Sequence, residues 1–545
     1  MNPVASPQAS TGFDASLKKS MNSELDIRIL FLVILFTFLA GCADEKTLPV
    51  PADWTQAGWK ATGNRISTTT EISRDFHPGT VHRPDAELSE RAVGFLWGVE
   101  LGQRRSSDPV IAFGKVVFQT YPDDPARSGR VVCFDEVNGV LSWSLALRSV
   151  SGNTDLPSLP YDPETYSVSS PAMHGNQIFI VSSRGELLCL DAAGMENGND
   201  GSFQDELAYL NLGNSESNAD LELVGDILWR YDLIQKSSFS VSEIYYSHLT
   251  VIGNYLYVAL PQNHGKSTEG FFQEGDIDGL YVFDIESGKR IAGNRLYQGV
   301  PYRSKVWAVP VSGSVNGLDL VFHPSRDGKL HAYKLPQAFP RGGWHHLERM
   351  WKFEVNPIDF LLDRNGLPLL NSAAEKDSNN TTAGVGISST PVWDQGKIFI
   401  AGGQDPGQPK GQGILYCLDG SVPVNDKEHA VLWSFRDLGT TVSTASVIDD
   451  LVFIADLNGG IYCLDAESGK LHWTHHTNEM IVVSTFAVDG RLFVGTTQGR
   501  LLEFEVNRKK TLRRTIVFPD PIRNSPVAAN GRLYVSTSRF FYVFD

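Results

Sequence analysis

Short runs of alternating apolar and polar residues, each closed by a glycine turn, recur from about Ser107 to the end of the chain. In VVCFDEVNGVLSW (131–143), LYVFDIESGKRIA (280–292) and IYCLDAESGKLHW (461–473) an apolar strand ends on Asp. Gly follows four residues after that Asp, and two of the three stretches place Trp eight residues after it. Alternation of period two, bounded by a glycine turn, predicts strand–turn–strand. Upstream lies a second pair. In SSPAMHGNQIFIVSSRGELLCLD (169–191) a Ser-Pro strand turns at His174-Gly175-Asn176, continues as QIFIVSS and turns again at Arg184-Gly185. The unit is four antiparallel strands.

First strands begin near Ser107, Ser169, Tyr246, Lys305, Ser389, Ser443, Ser484 and Asn524, and third strands centre on Cys133, Cys189, Val282, Ala332, Cys417, Cys463, Glu503 and Val543. Fourth strands are marked by Trp143, Trp229, Trp351, Trp433 and Trp473, with Ala292 standing in once and a tryptophan-free copy at Thr515 to Phe518. One fourth strand is missing at the C-terminus, where the chain stops on Phe544-Asp545, and FLWGVEL (95–101), with Trp97, precedes the first copy. An N-terminal strand that completes the last sheet removes two open edges at once. The pattern predicts an all-β, eight-bladed β-propeller of four-stranded antiparallel blades over 95–545, its last blade closed by about 95–101. The six fourth-strand tryptophans are expected to pack between blades. Asp135, Asp191, Asp284, Asp419 and Asp465 are the turn anchors of their repeats.

The N-terminus departs from this pattern. Ile29 to Ala40 is an unbroken apolar run preceded by Lys18, Lys19 and Arg28. It is about 18 Å of helix, too short for a ~30 Å hydrocarbon core but right for a signal peptide. It ends on Leu39-Ala40-Gly41-Cys42, which resembles the lipobox of bacterial lipoproteins. That resemblance implies a signal over 1–41, lipid attachment at Cys42 and a membrane-anchored protein of the bacterial cell envelope. It faces the periplasm or the cell surface, and Ala43 favours the outer membrane. Met21 is an alternative start. Residues 42–94 are polar and weakly patterned and read as a tether and irregular lead-in.

Net charge is -16, from 47 Lys+Arg and 63 Asp+Glu. Such a surface repels phosphate backbones, and no nucleic-acid partner is expected. Of the five cysteines, four sit two residues before the repeat Asp (Cys133, Cys189, Cys417, Cys463), where other copies carry Val282, Ala332 and Val543. They read as small core residues, free rather than bridged.

The repeats resemble the PQQ-like quinoprotein propeller repeat, through Asp465, Gly469, Lys470 and Trp473 and through Asp135, Gly139 and Trp143. ENGNDGSFQDE (196–206), AGGQDPGQPKGQG (401–413) and the run from Trp433 to Val506 are similar to the PQQ-binding-like propeller proteins of planctomycete-type bacteria. At a greater distance the chain resembles the propeller lipoprotein of the outer-membrane protein assembly complex. These resemblances imply a non-catalytic scaffold that binds a protein or an envelope polymer. The other reading is a PQQ- and calcium-dependent dehydrogenase, or another enzyme with its site at the channel mouth. The adjacent Cys-Cys pair and CxxCH segment of quinoprotein alcohol dehydrogenases are both missing from the sequence. No cofactor is expected.

Long insertions at 121–130, 145–168, 261–279, 293–304, 354–387 and 402–413 are expected to gather on one face and carry a protein or glycan partner. Within GGQDPGQPKGQG (402–413), Gln404, Asp405 and Lys410 are candidate ligand contacts, against a purely structural turn. Asn197, Asn199, Asp200, Asp205 and Glu206 are candidate Ca2+ ligands, although their spacing fails the EF-hand template, and a solvated surface excursion is the alternative. His472, His475 and His476 end one fourth strand. Alternation puts His475 with Trp473 and the other two opposite, and His475 is a candidate contact.

Overall fold

A computed structural model describes residues 53–58, 60–79, 92–101, 104–122, 129–147, 169–182, 185–204, 206, 224–233, 248–260, 279–294, 308–325, 328–340, 342–361, 385–387, 389–404, 411–421 and 431–545. The candidates Cys42, Asp205, Asp405 and Lys410 lie outside them.

Eight sheets succeed one another along the chain, each with four antiparallel strands as its base. Their first strands start at Val110, Ala172, His248, Val311, Val392, Ser446, Phe486 and Val527, and we number blades 1 to 8 in that order. Blade 8 takes Val527–Ala529, Arg532–Ser536 and Phe540–Phe544, and its fourth strand is Phe95–Glu100, with Trp97 opposite Val543. The ring closes as the strand count requires. The fourth strand of blade 7 is Leu512–Val517, beginning before the expected Thr515. Only Ile516 of it is buried, so Arg513 and Arg514 hide its start.

One device holds neighbouring blades together. The indole Nε1 of Trp97 donates to Glu136 O (3.0 Å), Trp143 to Ala192 O (2.9 Å), Trp229 to Ile285 O (2.9 Å), Trp433 to Ala466 O (3.0 Å) and Trp473 to Asn507 O (2.9 Å). In the first four of these the acceptor follows the repeat Asp of the next blade. The glycine of that Asp turn lies flat on the same indole. A Cβ on Gly139 would stand 2.4 Å from Trp97, and one on Gly469 2.5 Å from Trp433. Asp carboxylates cap the turns: Asp465 Oδ1 accepts from Ser468 N (2.9 Å), and Asp284 Oδ1 from Ser287 N (2.8 Å). Every blade also carries a β-bulge between its third and fourth strands just before the tryptophan position, which re-aims the side chain.

The four repeat cysteines are buried and free. Each faces its blade's tryptophan directly across the ladder: Cys133 with Trp143, Cys189 with Trp229, Cys417 with Trp433, Cys463 with Trp473. A small apolar residue is what fits opposite an indole. Where blade 3 has Ala292 instead of Trp, Trp344 supplies the aromatic ring from blade 4. Its strand His345–His346 adds to the blade 3 edge, and Arg290 lies 4.4 Å from the Trp344 ring centroid.

The described part of the lead-in is irregular and packed onto the ring. From Trp54 to Thr69 it visits every blade in turn, at the first strand of blades 1 to 7 and at the turn that follows it in blade 8. Trp54 bridges Ile111, Thr55 O accepts from Met173 N, Gln56 Oε1 from Val251 N, Ala61 O from Ser312 N and Thr62 O from Trp393 N. Asn64 Oδ1 then accepts from Val447 N and Arg65 O from Ala487 N, and Thr69 Oγ1 accepts from Gly531 N in blade 8. Ile66–Ser67 forms a parallel strand beside blade 7. First strands are the inner edges of the blades, and this strap satisfies amides that would otherwise be open edge groups. Beyond it, Ile72 and Phe76 are buried, and Arg491 donates to Ile72 O and Ser73 O (both 2.9 Å).

The strap lies at the ends of the first strands where they turn into the second. We call this the strap face and the opposite one the insertion face. Second strands end and third strands begin at the insertion face, as do the ends of fourth strands; the six long insertions lie largely outside the described residues. The connections from third to fourth strands start at the strap face, and among them 192–204, 335–340 and 342–348 are described.

Candidate functional site

At the insertion face the heads of the first strands form a belt of short polar side chains. Val309 N donates to Thr390 Oγ1 (3.1 Å), Thr390 N to Thr444 Oγ1 (3.2 Å), Thr444 N to Ser484 Oγ (3.0 Å), Ser484 N to Ser525 Oγ (3.0 Å) and Ser525 N to Asp108 Oδ1 (3.2 Å). The belt thus passes from blade 4 through blade 8 to blade 1. Asp108 Oδ2 is ion-paired to Arg65 of the strap at 2.9 Å, both side chains buried. PQQ is a planar polycarboxylate, and holding it needs several cationic or metal partners. The belt offers hydroxyls already engaged with backbone and one cation already paired. These residues do not fit that group.

Among the described residues, the candidate contacts Gln404 and His475 are on different blades. Gln404 ends the second strand of blade 5, where its Oε1 accepts from Gln412 N (3.0 Å) and its Nε2 donates to Phe360 O (3.3 Å). It holds its own loop. His475 is on the outermost strand of blade 6, edge-on to Phe504 of blade 7 with centroids 5.2 Å apart. Burial, then Lys510 and His476, push its pKa below the ordinary imidazole value, so it is neutral at pH 7. His472 is the extra residue of the bulge, so the simple alternation fails there. Its Nε2 lies 3.7 Å from Asp465.

Asn197, Asn199, Asp200 and Glu206 belong to the blade 2 excursion on the strap face. Asn197 Nδ2 donates to Asp191 Oδ2 (3.1 Å), Asn199 Nδ2 to Glu206 Oε2 (2.8 Å), and Asp200 N to Asp226 Oδ2 (3.3 Å). Among the described residues no three Asp, Glu, His or Cys side chains form a metal cage. Burial raises the thiols of Cys133, Cys417 and Cys463 to about 12 and that of Cys189 well above its usual value. They stay protonated and inert.

Sequence reasoning missed one concave site. A cavity of about 720 Å3 opens on the strap face where blades 3, 4 and 5 meet, lined among others by Asn254, Tyr255, Asp319, Gln337, Trp393 and Thr62 of the strap. It combines aromatic walls with uncharged polar groups and one carboxylate. Its residues come from separate turns, and no local motif marks them.

The family model described as outer membrane protein assembly factor BamB matches residues 95–204 and 418–509. No curated protein matches the chain. Among solved structures, BamB from Moraxella catarrhalis is 13% identical with a TM-score of 0.47, over 83% of this chain and 97% of its own. A europium-containing methanol dehydrogenase is 12% identical with a TM-score of 0.47, over 90% of each chain. Quinohemoprotein alcohol dehydrogenase from Comamonas testosteroni is 13% identical with a TM-score of 0.43, over 90% of this chain and 80% of its own. The ring is an eight-bladed β-propeller, and the two matched stretches resemble the PQQ-like repeat of that family model. Its matched repeats relate it distantly to BamB.

Proposed function

We propose that the protein is a lipid-anchored scaffold of the bacterial cell envelope, attached through Cys42, whose propeller binds a protein or an envelope polymer and performs no redox chemistry. The observation that carries this reading is the match of its repeats to the BamB family model. The engaged, cation-poor belt supports working without PQQ. So do the four cysteines, each buried opposite an aromatic residue rather than beside another thiol. Partner contact is assigned to the insertion face.

The test uses full-length protein in a bacterial envelope. Cys42→Ala is expected to move the protein from the membrane fraction to the soluble one. Immobilised lipidated protein should retain a partner from solubilised envelopes that excess free protein displaces. Recovery of no displaceable protein or glycan would sink the scaffold reading. Titration with PQQ and Ca2+ is expected to leave the quinone absorbance unbound. Retention of the quinone with dye-linked oxidation of an alcohol or sugar would replace the scaffold with the dehydrogenase.

A further inference from the structure

The blade 2 excursion, between the third strand Glu186–Asp191 and the fourth strand Ile227–Asp232, holds an electrostatic imbalance that the scaffold reading does not use. Asp226 is fully buried, yet among the described residues its Oδ1 has no hydrogen-bond partner. Asn199 Oδ1, on the other limb of the excursion, is also buried and unpartnered. The two limbs meet across Glu206, whose Oε2 accepts from Asn199 Nδ2 (2.8 Å) and whose Oε1 accepts from Ile227 N (3.2 Å). Asp200 N, next in the chain to Asn199, also donates to Asp226 Oδ2 (3.3 Å), so the two limbs are in direct contact. The charges acting on Asp226 are those of Glu206, Asp191 and Asp200, all negative, and burial with these neighbours raises its pKa to about 6. Burying an unpaired carboxylate among others costs free energy unless a cation or a proton offsets it.

We propose that this excursion binds a hard divalent cation, Ca2+, through Asp226 Oδ1 and Asn199 Oδ1. Oxygen donors alone, one of them an ionisable carboxylate, suit Ca2+ rather than a thiolate- or imidazole-seeking metal. Glu206 positions both limbs through its two hydrogen bonds. Since no three acidic side chains converge, water and main-chain carbonyls complete the 6–8 oxygens that Ca2+ takes, and affinity falls on the order of 10⁻⁴–10⁻³ M. The cation would tie the start of the excursion to its end and so brace the Trp143 dock. A Cβ on Gly194 would stand 2.5 Å, and one on Gly225 2.8 Å, from that indole.

This proximity supplies a local reporter. Tb3+, a Ca2+ mimic, bound beside Asp226 should emit when Trp143 of the full chain is excited, and millimolar Ca2+ should quench the emission by competition. Ca2+ should also raise Tm. Asp226→Asn, close in shape but uncharged, should lose both the sensitised emission and the Ca2+-dependent shift. Trp143→Phe should lose most of the emission but keep the Ca2+ shift, which places the ion and controls for unfolding of the first variant. A Tm indifferent to millimolar Ca2+, or Tb3+ emission and Ca2+ shift that both survive Asp226→Asn, would overturn the proposal.

Discussion

Glu136 shows how one residue of the repeat turn is used twice. Its carbonyl receives the Trp97 indole, while its carboxylate accepts from Tyr534 OH (2.9 Å) and Asn530 Nδ2 (3.2 Å). Blade 1 thereby grips blade 8 at the seam of the ring. Burial raises the Glu136 pKa, outweighing Tyr534, Asn530 and Arg532, while the nearby Asp53 raises it further. A raised carboxyl binds its proton more tightly in the folded state than in the unfolded one. Its contribution to stability is thus greatest below about pH 4 and fades as pH rises through the folded pKa. Glu136→Gln keeps an acceptor for Tyr534 and removes the titration. The difference in Tm between variant and wild type is expected to move in favour of the variant from pH 4 to pH 7. A flat difference would show that Glu136 carries no pH-dependent cost.

Among the elements, the strap departs most from its sequence. The blade strands were legible because each stays on one sheet for several residues, long enough for alternation to register. The strap changes blade at uneven steps of one to five residues and never builds a period. Its anchors, Trp54, Ile72 and Phe76, are scattered through polar sequence. Only its glycines hint at confinement. Gly63 sits at φ +73, and a Cβ there would stand 2.3 Å from Pro391 O and 2.7 Å from Val311. Gly342, at φ +82, faces open space. Left-handed backbone costs alanine about 1–3 kcal/mol at either site, but Gly63→Ala adds a clash that neither blade can relieve. Denaturant unfolding should show Gly63→Ala less stable than Gly342→Ala by more than about 1 kcal/mol. Equal losses would mean that the strap yields.

At the scale of the whole molecule, blade number, strand order and the N-terminal closure could be read from repeats alone, because they follow from counting strands and removing edges. The candidate contacts could not. Gln404 and His475 had suitable chemistry but are engaged within their own loop and blade interface, and the strap-face cavity gathers residues from turns that carry no shared motif. Closure also makes one tryptophan unlike the rest. Trp97 and Trp473 are each 7% exposed, but Trp473 sits on a blade of continuous chain, while Trp97 holds the one strand that joins the two ends of the ring. Both substitutions by alanine should cost about 3–5 kcal/mol. Trp97→Ala should in addition open the strand Phe95–Glu100 to protease under native conditions, and Trp473→Ala should not. Indistinguishable cleavage would show that the seam is no weaker than any other interface.

The strap also sets a rule for how this protein can change over evolutionary time. Propellers ordinarily gain or lose blades by duplicating or deleting one repeat, since each repeat touches only its neighbours. Here a single stretch of backbone makes one appointment with each blade, in order, and its spacing is matched to eight. A ninth copy would find no partner, and a seventh-copy ring would leave a link hanging over the axis. The strap is a gauge of copy number.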